Sequence, residues 1–173
     1  MRVLMIIAQK GFRDEELFDT RAELEKAGIE VDVASITTDN ALSMFERNVK
    51  PDLAVRYAKI DDYDALVLVG GSGAPVLANH KEVIDLIKSA QEKNKLIAAI
   101  CVSSAVLAKA GVLKGKRATV WSSPANRNFV KVLEDEGAKY STDKIVHDKN
   151  LITAFGPDQS KEFGKAIAAK LKE

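Results

Sequence analysis

Short runs of apolar residues alternate with amphipathic segments along this chain. The apolar runs have the length of strands, and the continuous ones are typical of strands that are covered on both faces of a sheet. The six predicted strands are Val3–Ala8, Ile29–Ser35, Ala65–Val69, Leu96–Ile100, Ala118–Trp121 and Leu151–Ala154. Between Thr37 and Lys59 the pattern is weak, which predicts short edge strands or a loop excursion.

The segments between these strands carry apolar residues at helical spacing. In the first of them, Leu17, Leu24 and Ala27 share one face, acidic residues occupy the first turn, and Gly28 ends the pattern. The five predicted helices are Asp14–Ala27, His80–Lys93, Ser103–Ala110, Asn126–Glu136 and Gln159–Leu171.

Strands that alternate with helices indicate parallel βαβ units. The predicted fold class is therefore α/β: a three-layer sandwich around a mostly parallel sheet, in one domain over residues 1–173. In such folds the ligand lies outside the carboxyl ends of the strands, near the point where the strand order reverses. We therefore expect the chemistry in the segments just after Ala8, Val69, Ile100 and Trp121.

Composition narrows the classes of function. The 173 residues include 26 basic and 25 acidic side chains, and the net charge of +1 does not favour nucleic-acid binding. The basic patch from Lys109 to Arg117 surrounds a predicted turn and is interpreted as solvated surface. No apolar run reaches the ~20 residues of a membrane span, so no membrane partner is expected.

The content of cysteine and histidine limits the chemistry further. A single cysteine, Cys101, forms no internal disulfide and fits a reducing cytoplasm. With only His80 and His147 beside it, a zinc cluster cannot be assembled, so no metal is expected. No cofactor is expected either, because the run from Gly70 to Gly73 matches neither nucleotide-binding glycine pattern, and no helix is predicted directly after it. The run is interpreted instead as a tight turn, with Gly70 lining the expected pocket.

Cys101 follows a buried strand directly and precedes a predicted helix by about two residues. This is the arrangement of a nucleophile elbow with sulfur in place of oxygen. A helix N-terminus and free backbone N–H groups would lower the thiol pKa from ~8.5. The amide of Val102, with that of Gly70 or Gly71, is placed to bind an oxyanion. The alternative is that Cys101 is a small buried core residue.

An acidic cluster, Asp14-Glu15-Glu16, follows the first strand. These residues could simply complement the dipole of the helix that begins there. Glu16, however, precedes the core residue Leu17 and is expected to turn inward, whereas Asp14 and Glu15 suit cap and solvent positions. A protonated Glu16 would donate a hydrogen bond to the sulfur of a thiolate. Which of Glu15 and Glu16 meets the sulfur stays open.

The aromatic and imidazole side chains divide into two groups. Trp121 lies at the expected pocket rim, as a pocket wall or as core packing. His80 begins a surface helix, and His147 lies in a polar stretch interpreted as a hairpin turn, so both are expected to be exposed rather than to act as a general base.

Taken together, these segments resemble the ThiJ/PfpI superfamily of deglycases and intracellular proteases. The resemblance is carried by the acidic segment at Glu16, the glycine pair at Gly70, Ala99-Ile100-Cys101 and residues 110–117. It implies a flavodoxin-like fold, similar to that of class I glutamine amidotransferases, and a homodimer or higher oligomer with pockets near the interfaces. It also implies that Cys101 is the reactive cysteine and Glu16 its partner, and that Gly71 and Val102 are the backbone donors around the sulfur.

Two positions depart from the pattern of that superfamily. Its members carry histidine either directly after the cysteine or after the following strand, where this chain has Val102 and Trp121. Without a nearby imidazole, protonation of a leaving amine is difficult, which disfavours peptide hydrolysis.

Three functions therefore stand as hypotheses. The first is an enzyme in which Cys101 and Glu16 act on reactive carbonyls, such as methylglyoxal or glycated protein adducts. The second is a redox sensor or stress-response chaperone in which Cys101 is oxidised to sulfinic acid. The third is a binding module whose pocket, with Trp121 in place of histidine, holds a small ligand or a protein partner.

Overall fold

The computed structural model describes all 173 residues and contains twelve strands and five α-helices. The strands are β1 (Arg2–Ile6), β2 (Lys10–Phe12), β3 (Glu30–Ser35), β4 (Ala41–Ser43), β5 (Asn48–Val49), β6 (Leu53–Ala54), β7 (Ala65–Leu68), β8 (Leu96–Ile100), β9 (Arg117–Ala118), β10 (Lys139–Tyr140), β11 (Ile145–Asp148) and β12 (Leu151–Ala154). The α-helices are α1 (Asp14–Lys26), α2 (Lys81–Glu92), α3 (Ser104–Lys109), α4 (Asn128–Asp135) and α5 (Ser160–Leu171).

Seven strands form the central sheet in the order β11-β12-β8-β7-β1-β3-β6. Every neighbouring pair is parallel except β11 with β12. From β1 the chain first builds outward through β3 to β6 and then returns to β7 on the other side of β1. The order therefore reverses between β1 and β7, and a binding site is expected at the carboxyl ends of these strands.

Apolar residues on both faces of the sheet create the three layers. In β1, Leu4 and Ile6 pack into a cluster of 28 buried residues with α2, α3 and α4. Val3 and Met5 point the other way, into a cluster of 24 buried residues with α1 and α5. Burial on both faces explains the continuous apolar run of the first strand. The predicted α/β sandwich with a mostly parallel, flavodoxin-like sheet is confirmed.

Three local predictions were wrong. The run Ala118–Trp121 is not a strand of the central sheet, since only its start belongs to β9, which pairs with β10 in a separate two-stranded sheet. The stretch around His147 forms strand β11, and the turn is confined to Lys149 and Asn150, where Lys149 has a φ of +58°. The third error concerns the glycine run, after which no helix was predicted. A 3₁₀ helix, Ala74–Asn79, begins directly after it.

The excursion between Thr37 and Lys59 has the expected short strands. β4 and β5 pair as a small antiparallel hairpin, and β4 also pairs with β2. None of the helices in the molecule has the length and apolar character that crossing a membrane requires.

Candidate active site

Cys101 lies at a sharp turn between β8 and the helical segment that follows. Its backbone adopts a φ of +63°, a left-handed conformation that residues other than glycine rarely adopt and that costs ~1–3 kcal/mol. The hydroxyl of Ser103 holds the turn: it accepts a hydrogen bond from the Ile100 amide at 3.1 Å and donates one to the Leu68 carbonyl at 2.8 Å. The predicted elbow is therefore present, with a 3₁₀ turn, Cys101–Ser103, before α3.

Glu16 projects inward from the first turn of α1 and is fully buried. The amide of Gly70 donates a hydrogen bond to its Oε2 at 2.7 Å, while Oε1 has no N–H or O–H partner. Burial raises the pKa of Glu16 to about 8, although the neighbouring Cys101 thiol and the hydrogen bond from the Gly70 amide act in the opposite direction. The carboxyl group therefore keeps its proton at neutral pH in most molecules.

The pKa of the Cys101 thiol is raised, mainly by burial and then by the charge of Glu16. The backbone amides of Val102 and Gly71 act in the opposite direction and lower the thiol pKa, but by less than burial raises it. The prediction of a lowered thiol pKa was thus wrong: Cys101 is only 8% exposed, and loss of hydration outweighs the helix and amide dipoles. Cys101 and Glu16 consequently titrate as a coupled pair.

The first glycine of the run, Gly70, packs directly against this pair. A Cβ atom on Gly70 would lie 2.4 Å from Glu16 Oε2 and 2.7 Å from the Cys101 Cβ. Gly71 has a φ of +107°, and a Cβ there would lie 2.3 Å from the Gly11 carbonyl oxygen. The run also binds β2 and the residue after it, through hydrogen bonds of 3.0 Å from the Arg13 amide to the Gly70 carbonyl and from the Gly73 amide to the Gly11 carbonyl. These close approaches bring Glu16 to Cys101.

A cavity of about 410 Å³ opens above the sulfur. Its lining residues are Arg13, Glu16, Met44, Gly71, Ser72, Pro75, Cys101, Val102, Trp121, Phe129 and Pro157. Trp121 is a wall of this cavity, the first of its two sequence interpretations. Gly70, expected to line the pocket, lies below it instead, behind the Glu16 carboxyl. The cavity is thus mostly apolar, with one guanidinium and the Cys101–Glu16 pair.

Several lining residues escaped prediction. Met44, Phe129 and Pro157 come from segments far apart in the sequence, and no local pattern marks them as neighbours of Cys101. Arg13 was visible beside the acidic cluster, but nothing in the sequence showed that it reaches the cavity.

The three acidic residues of the cluster have different positions. Asp14 is buried rather than a simple cap, and its Oδ1 accepts a hydrogen bond of 2.7 Å from the Ser43 hydroxyl, which anchors β4 to α1. Glu15 points away and forms an ion pair with Arg13. Glu16 alone of the three lines the cavity with Cys101.

Neither histidine lines the Cys101 cavity. His80 borders a separate cavity of about 280 Å³, and His147 is exposed on β11. A cleft of about 430 Å³ between residues 55–61 and α2 contains neither cysteine nor histidine. No three side chains of His, Cys, Asp or Glu converge as metal ligands would.

Comparison with known proteins agrees with this geometry. The DJ-1/PfpI family model matches residues 1–170. The chain belongs to the DJ-1/PfpI family. It is 40% identical over 173 residues to an uncharacterized protein of Methanocaldococcus jannaschii, and the alignment covers 99% of this chain and 83% of that protein. It is 32% identical to a deglycase of Thermococcus kodakarensis over 91% of each chain.

Solved structures extend the likeness to three dimensions. The crystal structure of Drosophila melanogaster DJ-1beta superposes with a TM-score of 0.89 at 34% identity, covering 98% of this chain and 89% of that chain. Membership in the family, predicted from the acidic segment, the glycine pair and the cysteine, is confirmed.

Proposed function

We propose that this protein converts small reactive carbonyl compounds, with methylglyoxal as the reference substrate, through Cys101 and Glu16. The observation that carries the proposal is a buried carboxyl group, Glu16, beside the thiol of Cys101 in one largely apolar cavity. A deglycase with 32% identity is consistent with chemistry of this class.

The reactive form of the pair holds a single proton between sulfur and carboxylate. With a Glu16 pKa of about 8, about a tenth of the molecules are in this form at pH 7. The proton moves to Glu16 as Sγ forms a bond to the aldehyde carbon, and the carbonyl electron pair moves to oxygen. Amides of Val102 and Gly71 stabilise the negative oxygen until Glu16 returns the proton to it, which gives a hemithioacetal.

Glu16, now a carboxylate, next removes the proton from the carbon that carries sulfur. The electron pair forms an enediolate with the neighbouring ketone. Glu16 then returns the proton to the former ketone carbon, and the hydroxyl proton passes to the adjacent oxygen, which leaves a thioester of a 2-hydroxy acid. Water hydrolyses the thioester and restores the thiol. The overall reaction adds one water to methylglyoxal to give lactate, with no external oxidant or reductant.

Production of lactate from methylglyoxal tests this function. We expect Cys101→Ala to abolish turnover and Glu16→Gln to reduce it by about 10²–10⁴-fold, the usual contribution of a general acid–base group. Since Cys101 is the only cysteine, no other thiol replaces it. His147→Ala, on the exposed face of β11, is the control and should retain wild-type turnover. Equal rates for wild-type and Cys101→Ala protein would refute the proposal.

A second candidate is redox sensing, which the amides of Val102 and Gly71 around the sulfur favour. Two molecules of peroxide would convert the thiol to a sulfinic acid with release of two molecules of water, and a protonated Glu16 would donate a hydrogen bond to the product. Mass spectrometry after mild peroxide treatment tests it. The candidate fails if Cys101 gains no oxygen under conditions that oxidise a model thiol.

The setting of this activity is also a proposal. We propose a homodimer in the cytoplasm, based on the family and on the free thiol of Cys101. Sedimentation equilibrium measures the oligomeric state, and a monomer at micromolar concentration would contradict the dimer. Proteolysis is disfavoured because Val102 and Trp121, at the two usual histidine positions, line the cavity without an imidazole.

A further inference from the structure

Arg13 gives the Cys101 cavity its charge. Only two of the lining residues, Arg13 and Glu16, have ionisable side chains that are charged in water, apart from the thiol itself. Because burial keeps Glu16 mostly protonated at neutral pH, the guanidinium is the one full charge that the cavity wall presents.

The guanidinium is held in place from two sides. Its Nε and Nη2 donate hydrogen bonds to the two carboxylate oxygens of Glu15, at 2.7 and 3.1 Å. Its Cζ lies 4.8 Å from the centre of the Phe45 ring, in a cation–π contact. The side chain is 26% exposed. The bidentate contact and the ring fix the plane of the guanidinium before any ligand arrives.

Glu15 does not exhaust the hydrogen-bonding capacity of Arg13. A guanidinium has about five N–H donors, and two of them are used by Glu15, which leaves about three for a ligand. The side chain of Glu15 is 41% exposed, so solvent screens its charge. Arg13 can therefore bind an anion while it stays paired with Glu15.

We propose that Arg13 selects carbonyl substrates that carry a carboxylate, by binding that carboxylate while Cys101 adds to the aldehyde group. The inference rests on the proposed function and names its substrate class. The planar guanidinium matches the two oxygens of a carboxylate. Met44, Phe129 and Trp121 line the same cavity, so a bound carboxylate would lie beside largely apolar side chains.

The test uses pairs of aldehydes that differ only in charge. Butanal and pentanal are neutral, whereas 4-oxobutanoate and 5-oxopentanoate replace the terminal methyl group with a carboxylate. Each forms a hemithioacetal when the Sγ–carbon bond forms and the thiol proton moves to the carbonyl oxygen. The measurement is protection of Cys101 from alkylation by iodoacetamide, followed by mass spectrometry as a function of aldehyde concentration.

In the wild-type protein, at least one acid should protect at about tenfold lower concentration than its neutral partner, as a charge-assisted hydrogen bond to Arg13 predicts. In Arg13→Gln the ratio within each pair should fall to about one. A ratio cancels any general change in the reactivity of Cys101 that the substitution causes. Arg21→Gln is the matched control, since Arg21 also forms a 2.7 Å ion pair with a glutamate of α1 and does not line the cavity.

The outcomes separate the two proposals. If none of the four aldehydes protects the wild-type protein, addition of Cys101 to carbonyls, and with it the proposed function, is wrong. If aldehydes protect but neither acid protects better than its neutral partner, the role of Arg13 is wrong and the proposed function stands. A preference for the acids that survives in Arg13→Gln, checked for folding by circular dichroism, also overturns the role of Arg13.

Discussion

At the scale of single residues, burial decides how Glu16 and Cys101 hold their protons. Both members of the pair are buried, and burial raises the pKa of each of them. The first proton that the pair loses is therefore lost near pH 8, and the remaining proton is shared between oxygen and sulfur. In the proposed mechanism, Cys101 becomes nucleophilic when Glu16 accepts its proton.

This account predicts the pH dependence of alkylation. The rate of reaction of Cys101 with iodoacetamide should rise with pH and reach half of its maximum near pH 8. In Glu16→Gln no carboxylate accepts the thiol proton, and burial still raises the thiol pKa, so the midpoint should move upward by about one unit or more. A midpoint that is unchanged or lower in Glu16→Gln would contradict the coupling.

Gly70 is a second residue whose effect can be measured. In Gly70→Ala the new methyl group would lie 2.4 Å from Glu16 Oε2, so the carboxyl group must move. We expect a loss of about 1–3 kcal/mol in the free energy of unfolding and a large loss of turnover. Gly111→Ala is the control: it has a φ of +81° but nothing within 4 Å of the new atom, so it should cost about 1 kcal/mol and leave turnover intact. Equal turnover in the two variants would show that Gly70 does not position Glu16.

The positions of single residues could be predicted from the sequence where neighbouring residues in the chain determine them. Cys101 follows a buried strand, and Glu16 precedes the core residue Leu17, so both were expected at the carboxyl edge of the sheet. The pKa of Cys101 was predicted with the wrong sign because burial depends on remote segments. Trp121 and Pro157, which lie near it in space, are at least twenty positions away in the sequence.

At the scale of elements, the packing of α1 against α5 sets the position of Glu16. Gly164 in α5 lies against α1, where a Cβ would be 2.8 Å from the Thr20 carbonyl oxygen and 2.9 Å from the Glu23 Cβ. The Thr20 hydroxyl also donates a 3.2 Å hydrogen bond to the Ser160 carbonyl. Helix α5 does not line the cavity, but it holds the helix that carries the carboxyl group.

We therefore expect Gly164→Ala to push α1 outward. The free energy of unfolding should decrease by about 1–3 kcal/mol because backbone atoms cannot yield as a flexible side chain does. Chemical denaturation measures this loss. Lys165→Ala, at the next and exposed position of α5, is the control and should change stability by less than about 0.5 kcal/mol. If the two variants are equally stable, the two helices do not pack as tightly as the structure indicates.

Elements with strong local patterns were predicted well, and the errors have a topological cause. The strand Leu96–Ile100 was placed correctly because both of its faces are buried. The run Ala118–Trp121 has the same apolar character, but the position beside β8 is occupied by β12. The run therefore stays outside the central sheet: only its first residue pairs with β10, and the rest carries Trp121 to the cavity. A pattern of apolar residues does not reveal which strand fills a given place in a sheet.

At the scale of the whole molecule, Glu16 links the stability of the fold to pH. Its pKa is about 8 in the folded protein, compared with 4.5 for an exposed glutamate. Between these values the folded state holds a proton that the unfolded state has released. The stabilisation is therefore complete below pH 4.5 and is lost as the pH rises through 8.

This linkage gives a prediction for unfolding. From pH 5 to pH 7.5, the wild-type protein should lose about 3 kcal/mol of unfolding free energy through Glu16. Glu16→Gln should lack this dependence, since glutamine does not ionise. The measurement is chemical denaturation of both proteins at several pH values, and the difference between their slopes isolates Glu16. Parallel curves would mean that Glu16 is already ionised in the fold at pH 5.

The close contacts of Gly70, Gly71 and Gly73 have a consequence for protein engineering. A methyl group at any of the three would overlap a neighbouring atom, so these backbone positions offer no freedom for redesign. Met44, Trp121 and Phe129 enter from three separate stretches of chain on the other side. A library that randomises those three side chains and keeps the glycines would recruit aldehydes of new sizes to an unaltered nucleophile.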